Sequence, residues 1–154
     1  MSWRPGCSIE ALRERAALLQ AVRAFFHDRG VVEAQTPILA ATTVTEPAVE
    51  SIPVPGYGYL QTSPEYLLKR LLAAGAPSLY QLGPVFRAGE SGRHHNPEFV
   101  MLEWYRLGFS DRELMDEVAE LVALALGAGP VQRLRYRDVV ARGAGAAAAS
   151  GATG

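Results

Sequence analysis

The sequence predicts an α+β fold, an antiparallel sheet flanked by helices. Three observations carry this. Apolar residues recur at helical spacing through Leu12, Ala16, Leu19, Val22 and Phe26. Two further helix starts bring their own capping chemistry, at Ser63-Pro64-Glu65 and at Ser110 with Glu113. From Glu98 to Leu107 side chains alternate as in a half-buried strand.

Taken in order, the first helix runs from Ile9 to Arg29, with Ser8 as N-cap, Glu10 in the dipole-favoured first turn and Gly30 as stop. Val31 to Gln35 reads as a strand closed by Thr36 and Pro37. Residues 47–58 hold Pro47, Pro53, Pro55, Gly56 and Gly58, a turn-rich connection suited to a hairpin. Tyr59 to Thr62 is a short strand, and Ser63 caps a second helix that Gly75 ends. Ser78–Leu82 and Val85–Arg87 are apolar strand candidates, followed by a polar loop from Ala88 to Pro97. The strand at Glu98–Leu107 places Phe99, Met101, Glu103 and Tyr105 on one face and Val100, Leu102, Trp104 and Arg106 on the other. A capping box opens a helix from Ser110 to Leu126, stopped by Gly127, and Leu134–Val140 reads as a last strand or turn.

Composition sets bounds. The 154 residues fit one domain, assigned to 1–140, with 49% hydrophobic and 20% charged residues excluding global disorder. Fifteen basic and sixteen acidic residues give a net charge of −1, which excludes a strongly basic nucleic-acid binder on bulk charge. All the basic residues but Lys69 are arginine. Cys7 stands alone and forms no internal disulfide. No apolar run approaches the roughly 20 residues of a membrane helix, and residues 1–7 lack a signal-peptide core, so a cytoplasmic protein without a membrane partner is expected. From Ala141 to Gly154 eleven of fourteen residues are Ala or Gly, and the expectation is a disordered tail or a lost reading frame.

The segment Val85–Tyr105 concentrates chemistry. Arg87 ends one strand; Phe99, Glu103 and Tyr105 share a face of the next. A guanidinium fork binds phosphate oxygens, an aromatic plate stacks on a base, and a carboxylate beside a phenol holds an ammonium. His94-His95, without cysteines or spaced carboxylates, is not a metal-binding pattern, and no metal site is assigned.

Val85-Phe86-Arg87, then Asn96-Pro97-Glu98-Phe99, then Met101-Leu102-Glu103-Trp104-Tyr105 resembles motif 2 of class II aminoacyl-tRNA synthetases of the lysyl branch. The run from Phe25 to Pro37 is similar to motif 1, and Thr62 to Leu72 to the amino-acid-binding segment. Within that branch, "TSPEY" and "MLEWYR" resemble the stand-alone paralogues that ligate lysine to elongation factor P. Motif 1 lies close to Met1, with no anticodon-binding domain before it, which points the same way.

This resemblance implies ATP-dependent activation of lysine or (R)-β-lysine as an adenylate, with transfer to a lysine of elongation factor P. It implies ATP and Mg²⁺ as cofactors and a homodimer built on the motif 1 helix, with tRNA not expected as a partner. By position, Ser63, Pro64 and Glu65 would line the amino-acid pocket, with Glu65 near the substrate's amino group. Arg87 would bind the α-phosphate as the catalytic residue, a donor of a kind worth on the order of 3 kcal/mol to a transition state. Gly89, Glu90 and His95 would reach ATP, and Asn96 and Phe99 would hold adenine. Glu103 and Tyr105 would contact the lysine-like substrate. No general base is needed, because the attacking carboxylate is already ionised.

Two departures matter. The family's Arg-x-Glu becomes Arg87-Ala88-Gly89-Glu90, with Glu90 expected to serve. Motif 3, with its γ-phosphate arginine, and the Mg²⁺-binding acids do not occur, so the catalytic fold is expected to be incomplete. Three functions follow from this: a ligase of the elongation factor P type, inactive as this chain; a lysine–tRNA ligase; or a non-catalytic dimerisation module.

Overall fold

A computed structural model describes residues 3–141. The tail expected at 141–154 lies, beyond Ala141, outside the described residues. The chain divides into two compact units, Met1–Glu117 and Val118–Gly154.

In the first unit, α1 spans Ile9–His27. Ser8 Oγ accepts from the Ala11 N–H at 3.0 Å, the expected cap. Gly30 follows at φ 66°, a left-handed turn that glycine enters without a Cβ penalty. The helix stops two residues earlier than the periodicity suggests because Asp28 takes the C-cap. Only its C-terminal half is buried, through Val22, Phe25 and Phe26, while Ile9, Leu12 and Leu18 are exposed.

The main sheet has the order β1–β5–β6, with β1 at Val32–Glu33, β5 at Leu79–Phe86 and β6 at Glu98–Tyr105. β5 and β6 pair antiparallel over their full length, from Leu79 opposite Tyr105 to Phe86 opposite Glu98. β1 joins β5 in parallel, so the sheet is mixed, and the strand expected at Val31–Gln35 shortens to two residues. The two candidates at Ser78–Leu82 and Val85–Arg87 are one strand. Pro84 does not break it, because β1 reaches only Leu79 and Tyr80 and the missing N–H interrupts no ladder on that side.

A second sheet has the order β2–β4–β3, with β2 at Leu39–Ala40, β3 at Pro53–Val54 and β4 at Gly58–Leu60. The expected hairpin is β3–β4. Gly58 sits at φ 123°, where an added Cβ would lie 2.3 Å from the Ala40 carbonyl oxygen. α2 covers Glu65–Ala73, and Gly75 follows at φ 93°. Its cap position is Pro64, not Ser63 as expected, since the chain is already helical at Pro64 with φ −79° and ψ 0°. Ser63 Oγ still accepts from the Glu65 N–H at 3.0 Å.

Phe26 is the centre of the core at 0% exposure. Its ring stacks on Tyr80 at 4.5 Å and meets Trp104 at 5.6 Å, so α1 packs on the face of the sheet that carries Tyr80 and Trp104. Glu33 accepts from the Tyr80 hydroxyl at 3.0 Å and pairs with Arg23 at 3.1 Å. Burial, then that hydrogen bond, pushes the Tyr80 phenol up to about 12.

α3 spans Asp111–Leu126, and its first turns through Glu117 belong to the first unit. Ser110 and Glu113 form the expected capping box, with the Ser110 N–H donating to Glu113 Oε2 at 2.7 Å and the Glu113 N–H to Ser110 Oγ at 3.3 Å. The Ser110 N–H, and then the Ser110 hydroxyl at 2.7 Å from the same oxygen, favour the ionised carboxylate and hold Glu113 below its ordinary range. In the second unit α3 runs on to Leu126, and Gly127 turns at φ 61°. The strand or turn expected at Leu134–Val140 is instead helical over residues 136–141, with the Asp138 N–H bonded to the Arg135 carbonyl at 2.9 Å.

Two predictions follow from this packing. Gly58→Ala sets a side chain against backbone in a strained conformation and should cost on the order of 3 kcal/mol, read as a lower urea midpoint. Because the Tyr80 pKa is raised in the fold, its contribution to stability is full below pH 10 and fades as pH rises to about 12. Thermal melts should show that decline, and Tyr80→Phe should flatten it.

Candidate active site

The opposite face of the sheet carries Gln81, Gly83 and Val85 of β5 beside Glu103, Met101 and Phe99 of β6. Above it lies a pocket of ≈ 270 Å³ lined by Val44, Glu46, Val49, Thr62, Ser63, Glu65, Arg87, Met101 and Glu103. Three segments enclose it: the sheet floor, the turn into α2, and the connection between β2 and β3.

The turn into α2 is tied to the floor through backbone. The Phe86 N–H donates to the Gln61 carbonyl at 2.9 Å, and Arg87 Nε donates to the Thr62 carbonyl at 3.3 Å. Ser63 Oγ then donates to Glu103 Oε2 at 2.7 Å, and the Tyr105 hydroxyl donates to Glu103 Oε1 at 2.7 Å. Both carboxylate oxygens of Glu103 are thus oriented by hydroxyl donors. Burial, and then the bond to Glu103, pushes the Tyr105 phenol far above its ordinary value, so it stays a neutral donor.

Arg87 is one-quarter exposed, with its guanidinium 5.2 Å from the Phe99 ring centroid and 3.7 Å from Glu90. Glu90, placed one residue later than the family pattern, does reach Arg87. Glu65 lines the pocket but pairs with Lys69 one turn along α2, which raises the Lys69 pKa. Pro64 is fully buried beneath the turn. Gly89, His95 and Asn96 lie in the loop between β5 and β6 and are not among the residues lining the pocket. There Gly92 and His95 bridge to each other, and the Arg87 N–H bonds to the Pro97 carbonyl at 2.9 Å.

The sequence reading missed Glu46, Val44 and Val49, which come from a segment marked only by its prolines. It also missed Gln81, whose Oε1 accepts from the Thr36 N–H at 2.9 Å and hydroxyl at 2.8 Å. The register opposite Glu103 is the signal that locates Gln81.

The reverse face of β6 is clamped. Glu117, 5% exposed, accepts from Trp104 Nε1 at 3.0 Å. Arg106 Nε lies 3.2 Å from the other Glu117 oxygen, out of line for a hydrogen bond, so the contact is ionic. Trp104 and Arg106 alternate with Glu103 and Tyr105, so this clamp sits directly behind the pocket.

An arginine and a carboxylate held by two hydroxyls thus face one pocket on an antiparallel ladder. The chain belongs to the class II tRNA synthetases (D, K and N), whose family pattern matches residues 2–128. Among curated relatives, the elongation factor P–(R)-β-lysine ligase of Vibrio vulnificus (strain YJ016) is 47% identical over 145 residues, covering 88% of this chain and 45% of that protein. The ligase of the same name from Vibrio campbellii is 46% identical over 89% of this chain and 45% of its own length. That of Yersinia enterocolitica is 47% identical over 92% and 46%. The chain therefore spans a little under half the length of these relatives.

Among the described residues no group of three or more His, Cys, Asp and Glu is arranged to hold a metal ion. None of the described helices is long and apolar enough to cross a membrane.

Glu117→Ala leaves the Arg106 charge largely buried without its partner. It should cost about 3 kcal/mol, measured by urea unfolding, and Glu117→Gln, which keeps an acceptor for Trp104, should cost less.

Proposed function

We propose that this chain carries the nucleotide- and amine-recognising part of a ligase that activates lysine or (R)-β-lysine with ATP and passes the acyl group to a lysine of elongation factor P. The observation that supports it best is Glu103, held by Ser63 and Tyr105 across a single pocket from Arg87.

In this mechanism Arg87 binds the α-phosphate and draws off the charge that builds as the substrate carboxylate attacks phosphorus. Phe99 stacks against adenine and holds the guanidinium on its other side. Glu90, Gly89, His95 and Asn96 close the β5–β6 loop on the nucleotide. Glu103 and Tyr105 take an ammonium group, with Ser63, Pro64 and Glu65 completing the wall. The acyl-phosphate forms as pyrophosphate leaves, and positioning does the work that a general base does elsewhere.

The proposal extends to assembly and place. The exposed N-terminal half of α1 pairs with a second copy, the protein acts in the cytoplasm, and tRNA is not a partner. Mg²⁺ ligands and a γ-phosphate arginine belong to sequence outside these residues, so the 154-residue chain alone binds substrate without turning it over.

The test is lysine-dependent ATP–pyrophosphate exchange in a form that carries the remaining length of the relatives. Arg87→Ala should lower exchange at least about 100-fold. Retained exchange removes Arg87 from the mechanism. Charging of tRNA without modification of elongation factor P selects the lysine–tRNA ligase instead.

A further inference from the structure

Tyr105 donates to Glu103 from the last position of β6. Two features make that position hard to hold. The ladder ends there, with Tyr105 opposite Leu79. β6 also has a single neighbour in its sheet, since the order is β1–β5–β6. A strand end paired on one side is where backbone hydrogen bonds open first. A 2.7 Å bond between side chains at such an end calls for a further restraint.

The restraint lies on the other face. Trp104 and Arg106, the residues on either side of Tyr105, both reach one carboxylate, Glu117. Trp104 Nε1 donates to Glu117 Oε2 at 3.0 Å, and Arg106 Nε lies 3.2 Å from Oε1. Glu117 is buried, on the part of α3 that belongs to the first unit. Each arm has support of its own. The Trp104 ring meets Phe26 at 5.6 Å. The Arg106 guanidinium sits 4.2 Å from the Phe109 ring centroid, and its Nη1 donates to the Arg29 carbonyl at 3.4 Å. Just past the strand, the Leu107 N–H donates to Ser78 Oγ at 2.9 Å.

Alternate residues of a strand point to opposite faces, so anchoring both neighbours of Tyr105 behind the sheet fixes the direction in which its side chain leaves the front. Stability alone does not account for this arrangement. A buried ion pair commonly adds nothing over well-packed apolar side chains, and here Arg106 Nε is buried without an aligned acceptor. We propose that Glu117 is a positioning residue for substrate binding: by gripping both neighbours of Tyr105 from behind, it sets the Tyr105 hydroxyl on Glu103 and so fixes the pair that takes an ammonium group. This rests on the amine-binding reading of Glu103 and Tyr105 given above. Glu117 itself acts only through β6. Its two oxygens are what the role requires, one for each neighbour of Tyr105.

The test is calorimetric titration of the chain with L-lysine, at a temperature where circular dichroism shows each variant folded. Glutamine has one acceptor oxygen, so Glu117→Gln holds one neighbour and releases the other. It should weaken lysine about fivefold. Tyr105→Phe, which removes the hydroxyl, should weaken it as well. Because both changes act through that hydroxyl, Glu117→Gln should add less than about twofold in the Tyr105→Phe background. A full fivefold loss repeated there means general loosening of the fold and overturns the proposal. Unchanged affinity in either single variant also overturns it. Where Glu117→Gln does not fold, Trp104→Phe removes one of the two donors and takes its place in the same cycle, with the same outcomes. Failure of the wild-type chain to bind lysine overturns the amine-binding reading, and this role with it.

Discussion

The register of β5 against β6 is the constraint on which the rest depends. Because opposite residues in an antiparallel ladder share a face, pairing Gln81 with Glu103 and Tyr80 with Trp104 sorts every side chain at once. One set floors the pocket. The other packs on Phe26 and Glu117. A slip of one residue would turn Glu103 into the α1 interface and drive Trp104 into the cleft. The ionic and indole contacts at Glu117 and the stacked ring of Phe26 both oppose such a slip from behind, so the packing of the helices and the aim of the site are one property.

The pocket is organised by unequal neutralisation of like charges. Acids gathered in one cavity repel. Glu65 pairs with a lysine on its own helix. Glu103 accepts from two hydroxyls, which orient it without cancelling its charge. Arg87, facing the same space, gives the cavity a positive end. The result is a short electrostatic axis, negative at the sheet floor and positive at the strand end.

Much of this was legible in the chain before folding. Alternation along Glu98–Tyr105 gave both faces of β6 correctly, because period-two burial leaves a direct mark on residue type. The capping box at Ser110 and the glycine stops at Gly30 and Gly75 were legible for the same reason: each is a local backbone demand met by one residue type. What escaped was long-range. β1 joining in parallel, the fusion of two apolar stretches through Gly83-Pro84, and the helical turn at residues 136–141 depend on partners distant in sequence or on a local competition that composition does not decide. Within the site, Arg87, Ser63, Glu65 and Glu103 converge on one pocket, whereas Glu46 and Gln81 carry no motif of their own and are found only by what stands opposite them.

Lys69 gives the molecule a practical property. It is the sole lysine of the sequence, one helical turn from a pocket glutamate. Apart from the amino terminus, an amine-directed dye or crosslinker therefore has a single address, beside the cleft. Its ion pair with Glu65 raises the amine's pKa further and so lowers the share of neutral amine that can react. A ligand that draws Glu65 away would loosen that protection, so the rate of acylation at this one nitrogen is a built-in gauge of what the neighbouring carboxylate is doing.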